Sequence, residues 1–254
     1  MRLRAWLDGQ PIDGLDGRIT LTDIIEEAPR LRVESLPSLG GDGLRLARCT
    51  RDSLSVRLLA EVHERDPGAR QGLLDSISAW CGGSVLKLST RPGRLLEGVC
   101  TAYPGAGALG WTESVTIRFT AWAAPFWQAE TPDRLALTGL TAGGKLCLRG
   151  TADTVLEAEI TAEEAVSTLR IGCGADSLVM TGLGMSAGET LRLSHDGAGI
   201  SRLTIGGPGG SRSALSCREA ESADEIRLRP GVNLVTLAAD GAVDAVMSGR
   251  GRWR

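Results

Sequence analysis

The sequence predicts a mainly β protein with one helix, divided into an N-terminal α+β sandwich over residues 1–130 and a C-terminal all-β sandwich over residues 131–254. Three observations predict it. Only Asp66 to Gly83 carries a helical pattern, most other apolar segments alternate with period 2, and aromatic residues all but vanish after Trp127. Five of six tryptophans, both phenylalanines and the single tyrosine lie at or before Trp127, leaving Trp253 alone beyond it. Such a change in core composition marks a domain boundary just past Trp127.

The helix is well specified. Asp66 can accept hydrogen bonds from first-turn amides, and Pro67 occupies a position where its missing N–H costs nothing. Leu73, Ile77 and Trp80 recur on one face with Leu74 and Cys81 beside them, and Gly82-Gly83 supplies the stop. A helix this short is marginal alone in water, so its apolar stripe must lie on a sheet.

In chain order, Arg2 to Leu7 reads as a short strand, followed by turn signals at Asp8-Gly9, Asp13-Gly14 and Asp16-Gly17. Ile19 to Ile25 and Leu31 to Leu36 read as extended segments, and Gly40 to Gly43 as a flexible loop. Leu54, Val56, Leu58, Ala60 and Val62 alternate in a strand that leads into the helix. Val85 to Leu88, Leu95 to Ala102 and Ser114 to Trp122 follow as strands, so that one helix covers an antiparallel sheet. Pro125 then ends that sheet by removing a ladder donor.

From Arg134 onward the sequence holds strand candidates at short intervals and no helix. Turn chemistry at Gly143-Gly144, Asp196-Gly197, Pro230-Gly231 and Asp240-Gly241 separates them, the signature of an antiparallel sandwich or jelly roll. Gly206 to Ser213, GGPGGSRS, reads as a mobile loop.

Composition excludes several function classes. A net charge of −3 and a pI near 5.6 give no basic stripe for specific nucleic-acid binding, and no apolar run approaches a membrane span. Cys49, Cys81, Cys100, Cys147, Cys173 and Cys217 form no C-x-x-C pair, and only His63 and His195 join them, so no metal site is expected. The absence of a signal-peptide pattern predicts reduced thiols made in a cytosol. Gly182-Leu183-Gly184-Met185-Ser186-Ala187 matches G-x-G-x-x-A only loosely, since a strand follows it where a dinucleotide fold needs a helix. GGPGGSRS lacks the lysine of a phosphate loop. His195-Asp196 sits in a hairpin turn with no G-x-S-x-G elbow, His63 closes a strand, and Glu157, Glu159, Glu163 and Glu164 lack the aromatic platforms that accompany glycoside hydrolysis. No catalytic residue and no cofactor are assigned. The remaining candidate is Pro125-Phe126-Trp127, whose adjacent aromatics cannot both face one core, so that one of them suits an interdomain or intersubunit contact, with simple packing over the domain junction as the alternative.

These segments together resemble the distal tail proteins of long non-contractile-tailed bacteriophages. The likeness is carried in the first half by LSVRLLAEV, GLLDSISAW, VLKLS and VTIRFTAWAAPFW, and in the second by AGETLRLSHDG, by the Pro230, Gly231 and Asn233 turn within SALSCREAESADEIRLRPGVNLVTL, and by SGRGRW. The resemblance implies a tail-tube-like N-terminal domain that closes a hexameric ring and a galectin-like C-terminal sandwich that projects outward. The ring would join the tail tube to the tip or baseplate, with tail-tube, tape-measure, tail-tip hub and receptor-binding proteins as partners. It also implies a virion location with synthesis in the host cytoplasm, and no metal, cofactor or membrane insertion. Whether the last strand, Met247 to Trp253, returns to the first domain stays open. A tail-tube or other minor tail component, and a carbohydrate-binding accessory module, are the alternatives.

Overall fold

The computed structural model describes residues 2–37, 44–102, 112–195 and 201–253. The Gly40 to Gly43 loop and the Asp196-Gly197 turn lie outside these. Among the described residues the chain is mainly β with one α-helix, and it forms two compact units, residues 1–127 and 128–254.

The first unit runs β1 (Ala5–Leu7), β2 (Gln10–Pro11), β3 (Ile19–Glu26), β4 (Arg30–Pro37), β5 (Leu44–His63), α1 (Pro67–Trp80), β6 (Val85–Leu88), β7 (Arg94–Glu97), β8 (Val99–Ala102) and β9 (Thr112–Ala121). Its main sheet has the order β3-β5-β9-β8, all antiparallel, with β4 hydrogen-bonded to the first half of β5. Leu54, Val56, Leu58, Ala60 and Val62 of β5 and Val115, Ile117 and Phe119 of β9 point inward and are buried. Each large side chain so buried contributes roughly 1.5 to 3 kcal/mol. The helix lies against β5 and presents Leu73, Leu74, Ile77 and Trp80 inward. Asp66 caps it as the sequence predicts, accepting the Ala69 N–H at 2.7 Å, and the Trp80 indole N–H donates to the Gln10 carbonyl at 2.8 Å.

The single sheet expected here is two. β1 pairs with β2 and β6, and β6 with β7, in a second small sheet. The predicted strand Leu95 to Ala102 is therefore broken at Gly98 into β7 and β8, which join different sheets. A Cβ at Gly98 would lie 2.3 Å from the Thr120 carbonyl oxygen, so only glycine lets the chain pass between them.

The second unit continues from β10 (Trp127–Ala129), which spans the division, through β11 (Asp133–Thr138), β12 (Thr141–Leu148), β13 (Thr154–Val155), β14 (Glu157–Ala162), β15 (Leu169–Cys173), β16 (Asp176–Met180), β17 (Thr190–His195), β18 (Ser201–Gly207), β19 (Gly210–Ser213), β20 (Arg227–Leu228), β21 (Gly231–Ala239), β22 (Val243–Gly249) and β23 (Arg252–Trp253). Two sheets, β11-β22-β14-β17-β18-β19 and β12-β21-β15-β16, enclose one core. Leu146, Ile171, Val235 and Leu237 enter it from one side and Ile160, Leu191, Ile205 and Met247 from the other. Near the chain end, Ala129 N–H donates to Gly251 O at 2.7 Å, and Thr151 N–H to Arg252 O at 2.7 Å.

Two glycine-based readings are corrected. Gly143-Gly144 is not a turn but the middle of β12, opposite Thr236 and Val235, and a Cβ at Gly144 would strike the Leu135 side chain at 2.7 Å. Glycine there makes room for a neighbour. Gly206 to Ser213 is not a loop but the β18–β19 hairpin, in register from Gly207 with Gly210 to Thr204 with Ser213, and Gly210 turns it at φ 112°.

Candidate interaction surfaces

β5 is twenty residues long and changes partners midway. Residues 54–63 pair with β9, whereas 44–53 pair, among the described residues, with β4 alone. The result is a two-stranded ribbon of eight-residue span beyond the main sheet, about 27 Å long at 3.4 Å per residue. Two register shifts, at Arg30/Leu31 and Glu34/Ser35, bend and twist it. Leu31, Val33 and Leu36 are 56%, 59% and 58% exposed. An isolated ribbon of this kind is marginally stable and its open edges and apolar side chains invite a partner. Its strands also carry Arg30, Arg32, Arg45, Arg48 and Arg51 against Glu34 and Asp52, a net +3 within a chain of −3.

The outer face of the main sheet is polar. Glu27 Oε1 accepts from Arg118 Nη2 at 2.8 Å, and Arg57 Nε forms an ion pair with the same oxygen at 2.8 Å. The Thr120 hydroxyl, buried despite its outward position, bonds Ser55 at 3.1 Å and Thr101 at 3.2 Å. Glu27, Ser55, Thr101, Arg118 and Thr120, together with Arg30 and Trp122, bound a cleft of about 290 Å³.

Pro125, Phe126 and Trp127 have different fates. Pro125 is buried, and Trp127 is buried with its indole N–H donating to Glu26 Oε2 at 3.1 Å. The same carboxylate takes a bidentate pair from Arg91, at 2.8 Å for both bonds. Phe126 is half-buried, with the Arg51 guanidinium carbon 5.3 Å above its ring centroid, within cation–π reach. The exposed aromatic of this stretch is Trp122, 53% accessible, which the sequence reading passed over.

In the second unit a cleft of about 920 Å³ is bounded by Asp153, Asp176, Arg227, Arg229, Val232 and Leu234. Val232 and Leu234 are the most exposed large apolar side chains described, at 63% each. Asp176 is occupied structurally, accepting the Arg227 N–H at 3.0 Å. Behind the cleft Asn233 is buried, accepting the Arg229 N–H at 2.9 Å and donating to the Arg229 and Gly231 carbonyls at 2.8 and 3.2 Å. The Pro-Gly-x-Asn turn is thus held by its asparagine.

The residues weighed for catalysis do not converge. His63 lies 3.3 Å from the Thr112 hydroxyl, and His195 Nε2 sits 3.1 Å from the Leu156 carbonyl. Glu157 and Glu159 are exposed on β14, Arg192 pairing with Glu159 at 3.3 Å. Glu163 is pushed above the ordinary carboxylate value, first by the charge of Asp244 and the hydrogen bond between them. Gly182 and Gly184 hold left-handed turns, φ 69° and 56°, that lead to β17, a strand. Among the described residues no group of three or more His, Cys, Asp or Glu could hold a metal ion, and no helix is long and apolar enough to cross a membrane.

No protein-family model and no curated protein matches the chain. Solved structures do. The Dit protein of phage SPP1, described as a paradigm of the hub adsorption apparatus of phages infecting Gram-positive bacteria, superposes with a TM-score of 0.73 at 14% identity, over 98% of this chain and 99% of that one. This is a Dit-like fold. A chain of the phage P2 baseplate in its activated conformation with calcium also matches, with a TM-score of 0.51 at 9% identity, over 99% of this chain and 98% of that one. The Dit-like fold extends over both units, so the unusual pairing of a helix-bearing β unit with an all-β sandwich is shared as a whole.

Proposed function

We propose that the protein is a structural component of a phage tail that forms a ring, hexameric by resemblance, at the distal end of the tail. The first unit closes the ring and the second, galectin-like in this reading, faces outward; the ring joins the tail tube to the tip or baseplate. Its partners are copies of itself, the tail-tube, tape-measure and tail-tip hub proteins, and receptor-binding proteins. The reading needs no cofactor and no catalysis. The single observation that carries it is the full-length Dit-like fold, with both chains covered almost completely.

The β4–β5 ribbon supplies the contact. Its occupant is a second copy of this chain: the ribbon carries net +3 and the remainder −6, so the ribbon of one subunit is attracted to the body of the next, where Leu31, Val33 and Leu36 lose their exposure. Phe126, held by Arg51 of the ribbon, belongs to the same contact, with Pro125 and Trp127 fixing it from beneath. Light scattering tests the reading. A mass about sixfold the 26.7 kDa subunit, falling to one subunit in a Leu31→Asp, Val33→Asp variant with unchanged circular dichroism, is expected. A wild-type monomer that stays single when mixed with tail-tube protein, or long tubes in electron micrographs, would overturn it.

A further inference from the structure

The cleft beside Trp122 draws its walls from segments far apart in sequence: Arg30 at the start of β4, Ser53 and Ser55 in β5, Thr101 in β8, and Thr120 in β9 with Trp122 immediately after it. Ser53 is the residue that calls for a ligand. It is 8% exposed, it lines the cleft, and its hydroxyl has no hydrogen-bond partner among the described residues. An unpaired buried hydroxyl is costly, so its partner must arrive through the cleft. Water serves until a better-placed hydroxyl displaces it.

The other walls say what kind of molecule fits. Arg30 makes no ion pair among the described residues, and Arg57 and Arg118 share one oxygen of Glu27, so the rim carries more positive charge than Glu27 neutralises. The Thr120 hydroxyl bonds those of Ser55 and Thr101, and the three together keep lone pairs free to accept. Trp122, about half exposed, adds a flat apolar face. The space is small: about 290 Å³ lies at the lower end of ligand pockets.

We propose that this cleft binds a single sugar ring carrying an acidic group, a carboxylate or a phosphate. The C–H face of the ring lies on the Trp122 indole and leaves water with it. The ring hydroxyls, each both donor and acceptor, bond Ser53 and the Thr120 ladder. The acidic group takes Arg30 and Arg118 in charge-assisted hydrogen bonds. A bare anion leaves Trp122 and Ser53 unused, and a neutral sugar leaves the guanidiniums unused. A nucleotide puts a flat base where the ladder asks for O–H donors. All of these residues belong to the first unit, and the site does not depend on the ring reading.

Saturation-transfer NMR on the full chain tests the site at neutral pH and fixed ionic strength, with D-galacturonic acid, glucose 6-phosphate, glucose, inorganic phosphate and AMP as separate probes. At least one of the two acidic sugars should bind with a Kd on the order of 1 mM, and glucose about tenfold more weakly. The tighter of the two acids identifies the anion. Trp122→Ala and Arg30→Gln, both at exposed side chains, should each weaken that binding about tenfold. Ser53→Ala should weaken it about threefold without lowering the melting temperature, because the hydroxyl removed has no partner in the chain. No saturation of either acidic sugar at about 10 mM would overturn the proposal. So would equal affinity for glucose, tighter binding of inorganic phosphate or AMP, or full affinity in Trp122→Ala.

Discussion

Single residues in this protein act mostly as brackets between distant strands. Asn233 satisfies both Arg229 backbone groups and the Gly231 carbonyl from a buried position. Asn233→Ala strands those groups and should cost about 1 to 3 kcal/mol, read as a lower urea midpoint with an unchanged slope. Glu189 brackets the β18–β19 hairpin: Arg212 donates to both of its carboxylate oxygens and Ser186 N–H adds a third bond at 2.9 Å. The Arg212 bonds, then the Ser186 amide, hold its pKa down to about 2 from 4.5. A depressed carboxylate contributes above its unfolded pKa and ceases to contribute as pH falls through its folded one. The bracket should therefore persist at pH 4 and open toward pH 2. An NMR titration of Glu189 should give a midpoint near 2, moving back toward 4.5 in Arg212→Gln. Asparagine in a Pro-Gly-x-Asn turn was legible in the sequence because its partners are local. Glu26 was not, since Arg91 and Trp127 reach it from 65 and 101 residues away. That distance is also why Trp127 read as an interface candidate while Trp122, immediately after β9, went unremarked.

Elements were legible where period and cap agree. α1 starts at its Asp66 cap and buries the stripe Leu73, Leu74, Ile77 and Trp80 that its spacing announces. Asp66→Ala leaves the Ala69 N–H unpaired and should lower stability by about 1 kcal/mol, measured by thermal or urea unfolding. Glycine was the misleading letter. It signals a turn by its own freedom, yet in β12 it answers Leu135, and at Gly98 it answers the Thr120 carbonyl, neighbours that only the folded chain brings near. Gly98→Ala therefore tests the split between β7 and β8. Because the clashing atom is backbone and cannot rotate away, the variant should lose about 1 to 3 kcal/mol, with early amide exchange in β8. β5 shows the opposite failure. Its second half alternates and was read as a strand, whereas its first half, LRLARCTRDS, carries arginine at both odd and even positions and so gives no sustained period 2 to detect.

At the scale of the molecule, the fold class could be read because mainly β sequences with a single capped helix admit few layer arrangements. Strand order could not, since β22 lies between β11 and β14, and β21 between β12 and β15, through pairings across most of the second unit. Nor could the ribbon be seen, because its exposure is a property of what β5 fails to pair with. In the proposed ring, that ribbon would make assembly sensitive to salt in a way that separates it from a purely apolar contact. Opposite charge on ribbon and body is screened over about 10 Å at 0.1 M salt and about 3 Å at 1 M, whereas burial of Leu31, Val33 and Leu36 is not weakened by salt. If ribbon charge draws subunits together, the association rate should fall steeply between those concentrations while the dissociation rate changes little. Arg30→Glu with Arg32→Glu should remove that salt dependence and slow ring formation, whereas Leu31→Asp with Val33→Asp should speed dissociation. Light-scattering kinetics after dilution from a dissociating denaturant would follow both. Equal effects of the two variants on both rates would mean that the ribbon contributes to folding of the subunit and not to its assembly.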